Sequence, residues 1–144
     1  MLRVVALIVA LLASMPAAAV SCGGQESVKQ AYLQADHVFS AHVEEIYAAP
    51  AFGRETFHFA KVRILRVWKG GLSPGDAVTT TAEGSVVFDD GFVPLEGSDV
   101  LIYAGGSQPF RLSTCSRSGS LESTQDIPTL DRLARKRIAR GAGE

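Results

Sequence analysis

The feature that most constrains the fold is a long apolar–polar alternation whose parity changes midway. Within residues 55–69, Val62 and Ile64 alternate with basic residues, as in a β-strand. After Ile64 the apolar positions become Leu65 and Val67, which have the opposite parity. Such a change inside one strand requires an extra residue, a β-bulge. Because bulged, bent strands turn the corners of small sheets, the pattern predicts a small curled β structure.

Shorter segments on both sides complete the predicted architecture. Alternating or compact apolar runs predict further strands over residues 36–47, 77–82, 100–104 and 110–115. Helices are predicted over 26–35 and over 126–140. Neither an internal repeat nor a domain boundary interrupts this series. Five strands with a helix at each end predict a mainly β domain, a closed or partly closed antiparallel barrel.

The first 19 residues have the pattern of a secretory signal peptide. Arg3 precedes an unbroken apolar run of ten residues, and three alanines at 17–19 provide the small residues of a cleavage site. The run is shorter than the about 20 apolar residues that a membrane-spanning helix needs. We predict cleavage after residue 19 and export of a single domain, residues 20–144, to the periplasm or the medium. The alternative is a buried N-terminal helix.

Charge excludes one large class of partners. The chain contains 14 Lys+Arg and 15 Asp+Glu, and its leader includes only one of these residues, Arg3. The exported part therefore has a net charge of −2 and lacks the basic excess of a nucleic-acid binder. The mean hydropathy of +0.15 comes largely from the leader. We expect a monomeric domain with no nucleic-acid partner and no transmembrane segment.

The two cysteines, Cys22 and Cys115, allow one intramolecular disulfide. In an oxidising compartment an even number of cysteines implies pairing. The bridge would close a loop of 93 positions and stabilise the fold by about 4–5 kcal/mol in the chain-entropy model. The alternative is a lipid anchor on Cys22, because residues 19–21 form a degenerate lipoprotein box. Lipidation would leave Cys115 without a partner.

No residues form a recognisable catalytic or metal-binding motif. The three histidines are His37, His42 and His58, and only His42 shares a strand face with a nearby carboxylate, Glu44. A metal site usually needs three or four converging ligands, and the Asp-Asp-Gly sequence at 89–91 is typical of a turn. We therefore predict no catalytic residue, no metal and no cofactor. Convergence of His42 and Glu44 with a third ligand would instead indicate a hydrolytic enzyme.

The strongest local charge feature is a basic cluster in the C-terminal helix. Its members are Arg132, Arg135, Lys136, Arg137 and Arg140. One interpretation is the binding of anionic lipid or another polyanion. The other is a solvated helix face whose cations offset the helix dipole. The acidic balance of the exported chain favours the second.

Four motifs occur in one order along the chain. They are ADHVF at 35–39, VWKG at 67–70, VLIYA at 100–104 and LSTCSR at 112–117. Together they resemble the bacterial exported proteins similar to tissue inhibitors of metalloproteinases, within the netrin-like module superfamily. The resemblance extends from residue 20 to about residue 133. It implies an OB-like five-stranded antiparallel barrel with a short N-terminal helix and a C-terminal helix.

The resemblance also implies a site at the N-terminus of the exported chain. Family members begin with Cys-x-Cys, whereas this chain has Val20-Ser21-Cys22, and the family's middle cysteine is absent too. The bridge from Cys22 to Cys115 is then the remaining one. In the animal inhibitors the amine and carbonyl of the first residue chelate the zinc of the protease. The resemblance places Val20 there and Ser21 near the specificity pocket, without the disulfide that preorganises the first residue.

These observations lead to one expectation and two alternatives. We expect an exported, non-enzymatic binding module, and the resemblance implies inhibition of a secreted or periplasmic metalloprotease. The first alternative is an OB-type binder of envelope saccharide or polymer, for which Phe57, Phe59 and Trp68 are the available aromatic residues. The second is a hydrolytic enzyme, which requires convergent titratable groups in a pocket.

Overall fold

The computed structural model describes residues 26–50, 56–82, 94–112 and 116–141. In chain order the elements are α1 (Val28–Gln34), β1 (His37–Pro50), β2 (Thr56–Lys69), β3 (Ala77–Ala82), β4 (Asp99–Ala104), β5 (Phe110–Leu112), β6 (Gly119–Ser120) and α2 (Ile127–Gly141). Every predicted helix and strand occurs. The predicted leader, both cysteines and residues 113–115 of the last predicted strand lie outside the described residues.

The six strands form one sheet in the order β5-β3-β2-β1-β4-β6. Strands β1, β2 and β3 are successive antiparallel neighbours, and β4 returns to the free side of β1, which is the Greek-key arrangement. Strands β4 and β5 are in contact although they are far apart in the sheet order. The sheet is therefore curled into a half-barrel, and the part of the chain that the structure describes is mainly β with two helices.

The predicted five-stranded, all-antiparallel barrel is wrong in two respects. A sixth strand, β6, pairs with β4 at one edge, and β5 pairs with β3 in the parallel direction. Alternation identifies the residues that face the core, but it is the same for either strand direction, so Phe110 and Leu112 are equally consistent with both. Strand β6 has two residues and is too short to show any period.

The predicted bulge in β2 is confirmed. Ile64 and Arg66 pair with adjacent residues of β1, so Leu65 is the extra residue. After the bulge Val67 packs against the inner core, as the change of parity predicts. Leu65 itself is 45% exposed, so its predicted place on the apolar face is wrong. The reason is that a bulged residue has no partner opposite it and the strand bends there.

The concave face of the half-barrel encloses the inner core. Its buried residues are Phe39, Ala41, Val43, Ala60, Val62, Ile64, Val78, Val100, Ile102, Ala104, Phe110 and Leu112. Strand β1 contributes Phe39, Ala41 and Val43 to this core, in agreement with its apolar–polar alternation. The rings of Phe39 and Phe110 lie 5.8 Å apart, so β1 and the edge strand β5 meet across this core.

A second core lies between the convex face of the sheet and the helices. Its buried residues are Ala31, Tyr32, Ala35, Val38, Trp68, Leu101, Tyr103 and Leu130. Strand β4 contributes to both cores and is buried on both faces, which explains why its sequence is continuously apolar rather than alternating. Neither of the two described helices is long and apolar enough to cross a membrane.

Helix α1 begins with a capping box. The Ser27 hydroxyl oxygen accepts a hydrogen bond from the backbone N–H of Gln30, and the Gln30 side chain accepts one from the Ser27 N–H. These bonds satisfy donors that lack a partner inside a helix. Because α1 has only seven residues, this cap and the packing of Ala31 and Tyr32 must define where it begins.

Replacing Ser27 by alanine is expected to lower the free energy of unfolding by about 1 kcal/mol, because a helix N–H then loses its acceptor. Urea denaturation followed by circular dichroism measures the change. Ser27→Asp is the matched control, since aspartate caps a helix as well as serine does. An equal loss in both variants would contradict the role of the cap.

Candidate functional site

A buried polar network lies where the start of α1 meets the segment after β5. The hydroxyl of Tyr103 donates to Asp126 Oδ2 at 2.8 Å. Arg117 donates from Nε to Asp126 Oδ2 at 2.9 Å and from Nη2 to Oδ1 at 2.6 Å. The Asp126 side chain is 4% exposed, and both of its oxygens are paired. We call Tyr103, Arg117 and Asp126 the clamp.

Each member of the clamp is placed by a different part of the fold. Tyr103 lies on the convex face of β4, which the helices cover. Asp126 precedes α2, and its carbonyl accepts the first helical hydrogen bonds, from Thr129 and Leu130, each at 3.0 Å. Arg117 lies in the bend before β6. The fork of its guanidinium fits the carboxylate in a bidentate arrangement, the strongest geometry for this pair.

The clamp shifts the pKa of all three groups. Burial acts to raise the pKa of Asp126, but the hydrogen bonds from Arg117 and Tyr103 and the charge of Arg117 outweigh it, so this pKa lies below its ordinary value of 3.8. Burial, reinforced by the hydrogen bond to Asp126, raises the pKa of Tyr103. The hydrogen bond to Asp126 raises the pKa of Arg117. None of the three groups exchanges a proton near neutral pH, so the clamp acts as an anchor rather than an acid–base pair.

The clamp holds the N-terminal end of the described chain. Arg117 Nη1 donates to the carbonyl oxygen of Glu26 at 2.7 Å, and Glu26 directly precedes the cap of α1. Glu26 is four positions after Cys22, and Arg117 is two positions after Cys115. The clamp therefore joins the two segments that lead to the cysteines. Both cysteines, and the predicted protease-contacting residues Val20 and Ser21, lie outside the described residues.

His42 and Glu44 belong to two separate polar pairs. His42 Nδ1 lies 2.7 Å from Asp99 Oδ1, and Glu44 Oε1 accepts a hydrogen bond from Arg63 Nε at 2.5 Å. In the part of the chain that the structure describes, no group of three or more His, Cys, Asp or Glu residues could hold a metal ion. The convergence that would favour a hydrolytic enzyme is absent from these residues.

His37 has a packing role beside the VWKG motif. Its ring lies 4.9 Å from that of Phe110, and Nδ1 would lie 2.3 Å from a Cβ atom on Gly70. Gly70 also has a φ of 105°, which L-residues with side chains rarely adopt. The motif therefore ends in glycine for a steric reason. His58, on β2, is exposed.

Trp68 is not available for stacking on a sugar. It is 6% exposed, and its indole N–H donates to Asp131 Oδ1 at 2.6 Å. The aromatic pair on the surface is instead Tyr47 and Phe59, whose rings stack at 5.5 Å across β1 and β2. Tyr47 is 40% exposed. The Phe57 side chain lies outside the described part of the chain.

The basic residues of α2 do not all line the same groove. Arg132, Lys136 and Arg137 line a groove of about 600 Å³ between α1 and α2, where Lys29 of α1 also lies. Arg135 does not line this groove. The Arg140 side chain is outside the described residues. Three members of the sequence cluster therefore share one groove with Lys29.

The chain was also compared with models of protein families and with curated proteins. No family model matches it. No curated protein matches it either.

Proposed function

We propose that this chain is an exported, non-enzymatic binding module whose N-terminus inhibits a secreted or periplasmic metalloprotease. The observation that carries the proposal is the 2.7 Å hydrogen bond from Arg117 to the Glu26 carbonyl. It anchors Glu26, the residue before the cap of α1, to a buried ion pair. An inhibitory segment with a defined origin loses less entropy on binding and therefore binds more tightly.

We propose an OB-like, netrin-like domain for residues 20–144. The OB fold is a five-stranded, partly open Greek-key barrel. Strands β1 to β5 supply a curled sheet with a Greek-key order, which supports this assignment. The two-residue β6 is then an addition to the edge at β4.

The disulfide between Cys22 and Cys115 is part of the same proposal. Extended chain covers at most about 3.6 Å per residue, so four residues reach about 14 Å and two reach about 7 Å. A disulfide needs Cα atoms about 4.4–6.8 Å apart. Because Glu26 and Arg117 are in contact, the chain on both sides is long enough for the bridge. The bridge would anchor the chain at Cys22, two residues after the proposed inhibitory N-terminus at Val20.

The proposed mode of binding requires a free α-amine at Val20. Cleavage after residue 19 provides that amine, and by the resemblance it would ligate the zinc of the protease together with the Val20 carbonyl. Ser21 would then lie near the specificity pocket. A lipid on Cys22 would replace this N-terminus and exclude both the bridge and the contact with zinc.

The first test is intact mass analysis of the exported protein before and after reduction. We expect a chain that begins at Val20 and takes up two alkyl groups only after reduction. A different N-terminus or a lipid on Cys22 would contradict the proposed mode of binding.

The second test titrates the exported protein against a panel of zinc metalloproteases. We expect stoichiometric inhibition of at least one of them, and at least tenfold weaker inhibition by a variant with one extra alanine before Val20, because the amine is then displaced from the zinc. Equal inhibition by both forms would exclude zinc chelation by the N-terminus. No inhibition across a broad panel would leave the resemblance as one of fold only.

One observation favours the alternative of a saccharide or polymer binder. The stacked pair of Tyr47 and Phe59 is partly exposed on the sheet, and exposed aromatic rings can pack against sugars. Retention of the exported protein on isolated envelope polymer, with loss of retention in Tyr47→Ala, would support this alternative over protease inhibition.

A further inference from the structure

We propose that the groove between α1 and α2 binds one molecule of an anionic amphiphile, an anionic group attached to an apolar chain. Its volume of about 600 Å³ is in the range of small-molecule sites. One wall comes from α1 and the other from α2, so the site exists only in the folded domain. This proposal does not depend on protease inhibition.

The charge of the groove is the first argument. Of the described residues that line it, five are cationic and none is acidic: Lys29, Lys69, Arg132, Lys136 and Arg137. Lys69 is occupied, because its ammonium donates to the carbonyls of Tyr32, Leu33 and Ala35 at the end of α1. The other four make no ion pair with any described residue. An anion would relieve their mutual repulsion.

The helix dipoles do not account for these positions. Lys29 is the second residue of α1, where the positive end of the dipole disfavours a cation. Arg132 is more than two turns before the end of α2 at Gly141, beyond the reach of the negative end. Among the described residues, its guanidinium donates only to the Thr129 hydroxyl, at 3.3 Å. Both cations therefore lie where stability alone does not favour them, as is common in binding sites.

The apolar part of the groove is the second argument, and it indicates more than a simple anion. Leu33 lines the groove and is 63% exposed, and the half-buried Leu133 lies on the opposite wall. Tyr32 also contributes part of the groove surface. A hydrated inorganic anion would leave Leu33 in water, whereas an apolar chain would cover it. The groove thus suits an anionic group and an attached chain together.

Trp68 offers a direct readout of binding. It is the one tryptophan of the chain, and its carbonyl accepts a hydrogen bond at 3.1 Å from the hydroxyl of Tyr32, which lines the groove. The probe is decyl phosphate below its micelle concentration, added to the exported protein. We expect a saturable change in Trp68 emission and a melting temperature that rises with probe concentration, since a ligand that binds only the folded state stabilises it.

Two matched double variants test the site. Arg132→Gln with Lys136→Gln removes two groove cations, and we expect at least a tenfold loss of affinity with no loss of stability. Lys61→Gln with Arg135→Gln removes two exposed cations outside the groove, for the same change in net charge, and affinity should change less than twofold. Leu33→Gln tests the apolar wall, and we expect at least a fivefold loss of affinity for decyl phosphate.

Three further probes decide between ligand classes. Inorganic phosphate and decanol should each bind at least tenfold more weakly than decyl phosphate. If decanol binds as tightly as decyl phosphate, the groove is an apolar cleft and the proposal is overturned. If the two double variants lose affinity equally, the binding depends on net charge alone and the proposal is also overturned. Binding to phosphatidylglycerol vesicles without binding of monomeric decyl phosphate would overturn it in favour of a membrane-surface contact.

Discussion

Replacing Arg117 by methionine is expected to lower the free energy of unfolding by about 3–5 kcal/mol, the usual loss when one partner of a buried ion pair is removed. Methionine keeps most of the side-chain length but leaves the carboxylate of Asp126, which is 4% exposed, without its cation. The substitution also removes the hydrogen bond to the Glu26 carbonyl, so α1 loses its connection to the clamp. Urea denaturation followed by Trp68 emission measures the change.

The matched control for this variant is Arg63→Met. Arg63 pairs with Glu44 on the surface, where the two side chains are 50% and 25% exposed. Exposed pairs contribute about 1 kcal/mol or less, because water screens both charges. An equal loss in the two variants would show that the clamp is no more stabilising than a surface ion pair.

The pH dependence of stability gives the same variant a second readout. The pKa of Asp126 is lowered in the folded state, so the clamp contributes stability above the unfolded pKa of about 4 and loses it as the pH falls through the folded value. The difference in stability between the wild type and Arg117→Met should therefore shrink as the pH falls, because a protonated Asp126 no longer needs the cation. A difference that stays constant with pH would mean that the loss comes from packing rather than from charge.

Replacing Cys22 by serine is expected to lower the free energy of unfolding by about 4–5 kcal/mol, and Cys115→Ser by the same amount. The proposed bridge closes a loop of 93 positions, and opening it restores conformational entropy to the unfolded chain. The double variant should lose no more than either single variant, because each removes the whole bridge. Chemical denaturation of the three variants provides the comparison.

Reduction of the wild-type protein is the control for these variants. Reduction should lower the free energy of unfolding by the same amount as the serine variants do. The reductant should not change the free energy of unfolding of the double serine variant. A loss confined to Cys22→Ser would favour a separate role for that residue, such as lipid attachment. Losses that add in the double variant would exclude a bridge between the two positions.

The strand faces and the bulge in β2 could be predicted because they are local properties. Side chains alternate with a period of two along any strand, so the burial of Phe39 and Val43 and the change of parity beside Leu65 follow from neighbouring residues. The direction of β5 could not be predicted in this way. Its pairing joins Thr80 to Phe110, and no periodicity within either segment encodes that contact.

Sequence patterns did not predict the clamp, although its three residues lie in or beside predicted features. Tyr103 and Arg117 belong to two of the four sequence motifs, and Asp126 lies at the predicted start of the C-terminal helix. Asp126 is 9 positions from Arg117 and 23 from Tyr103, so no helical or strand spacing relates them. Their pKa shifts come from burial and from contacts that exist only after β4, the bend before β6 and α2 have packed together.

The sequence by itself determined the inner faces of the strands, the two helices and the positive charge of α2, because each depends on the order of nearby residues. Only the tertiary structure decided which charges act together. Packing of α1 against α2 placed Lys29 and Lys136 in one groove and left Arg135 outside it. The pairing of β1 with β2 and β4 likewise gave His42 and Glu44 different partners. Such groupings depend on distances between elements, which a linear pattern does not contain.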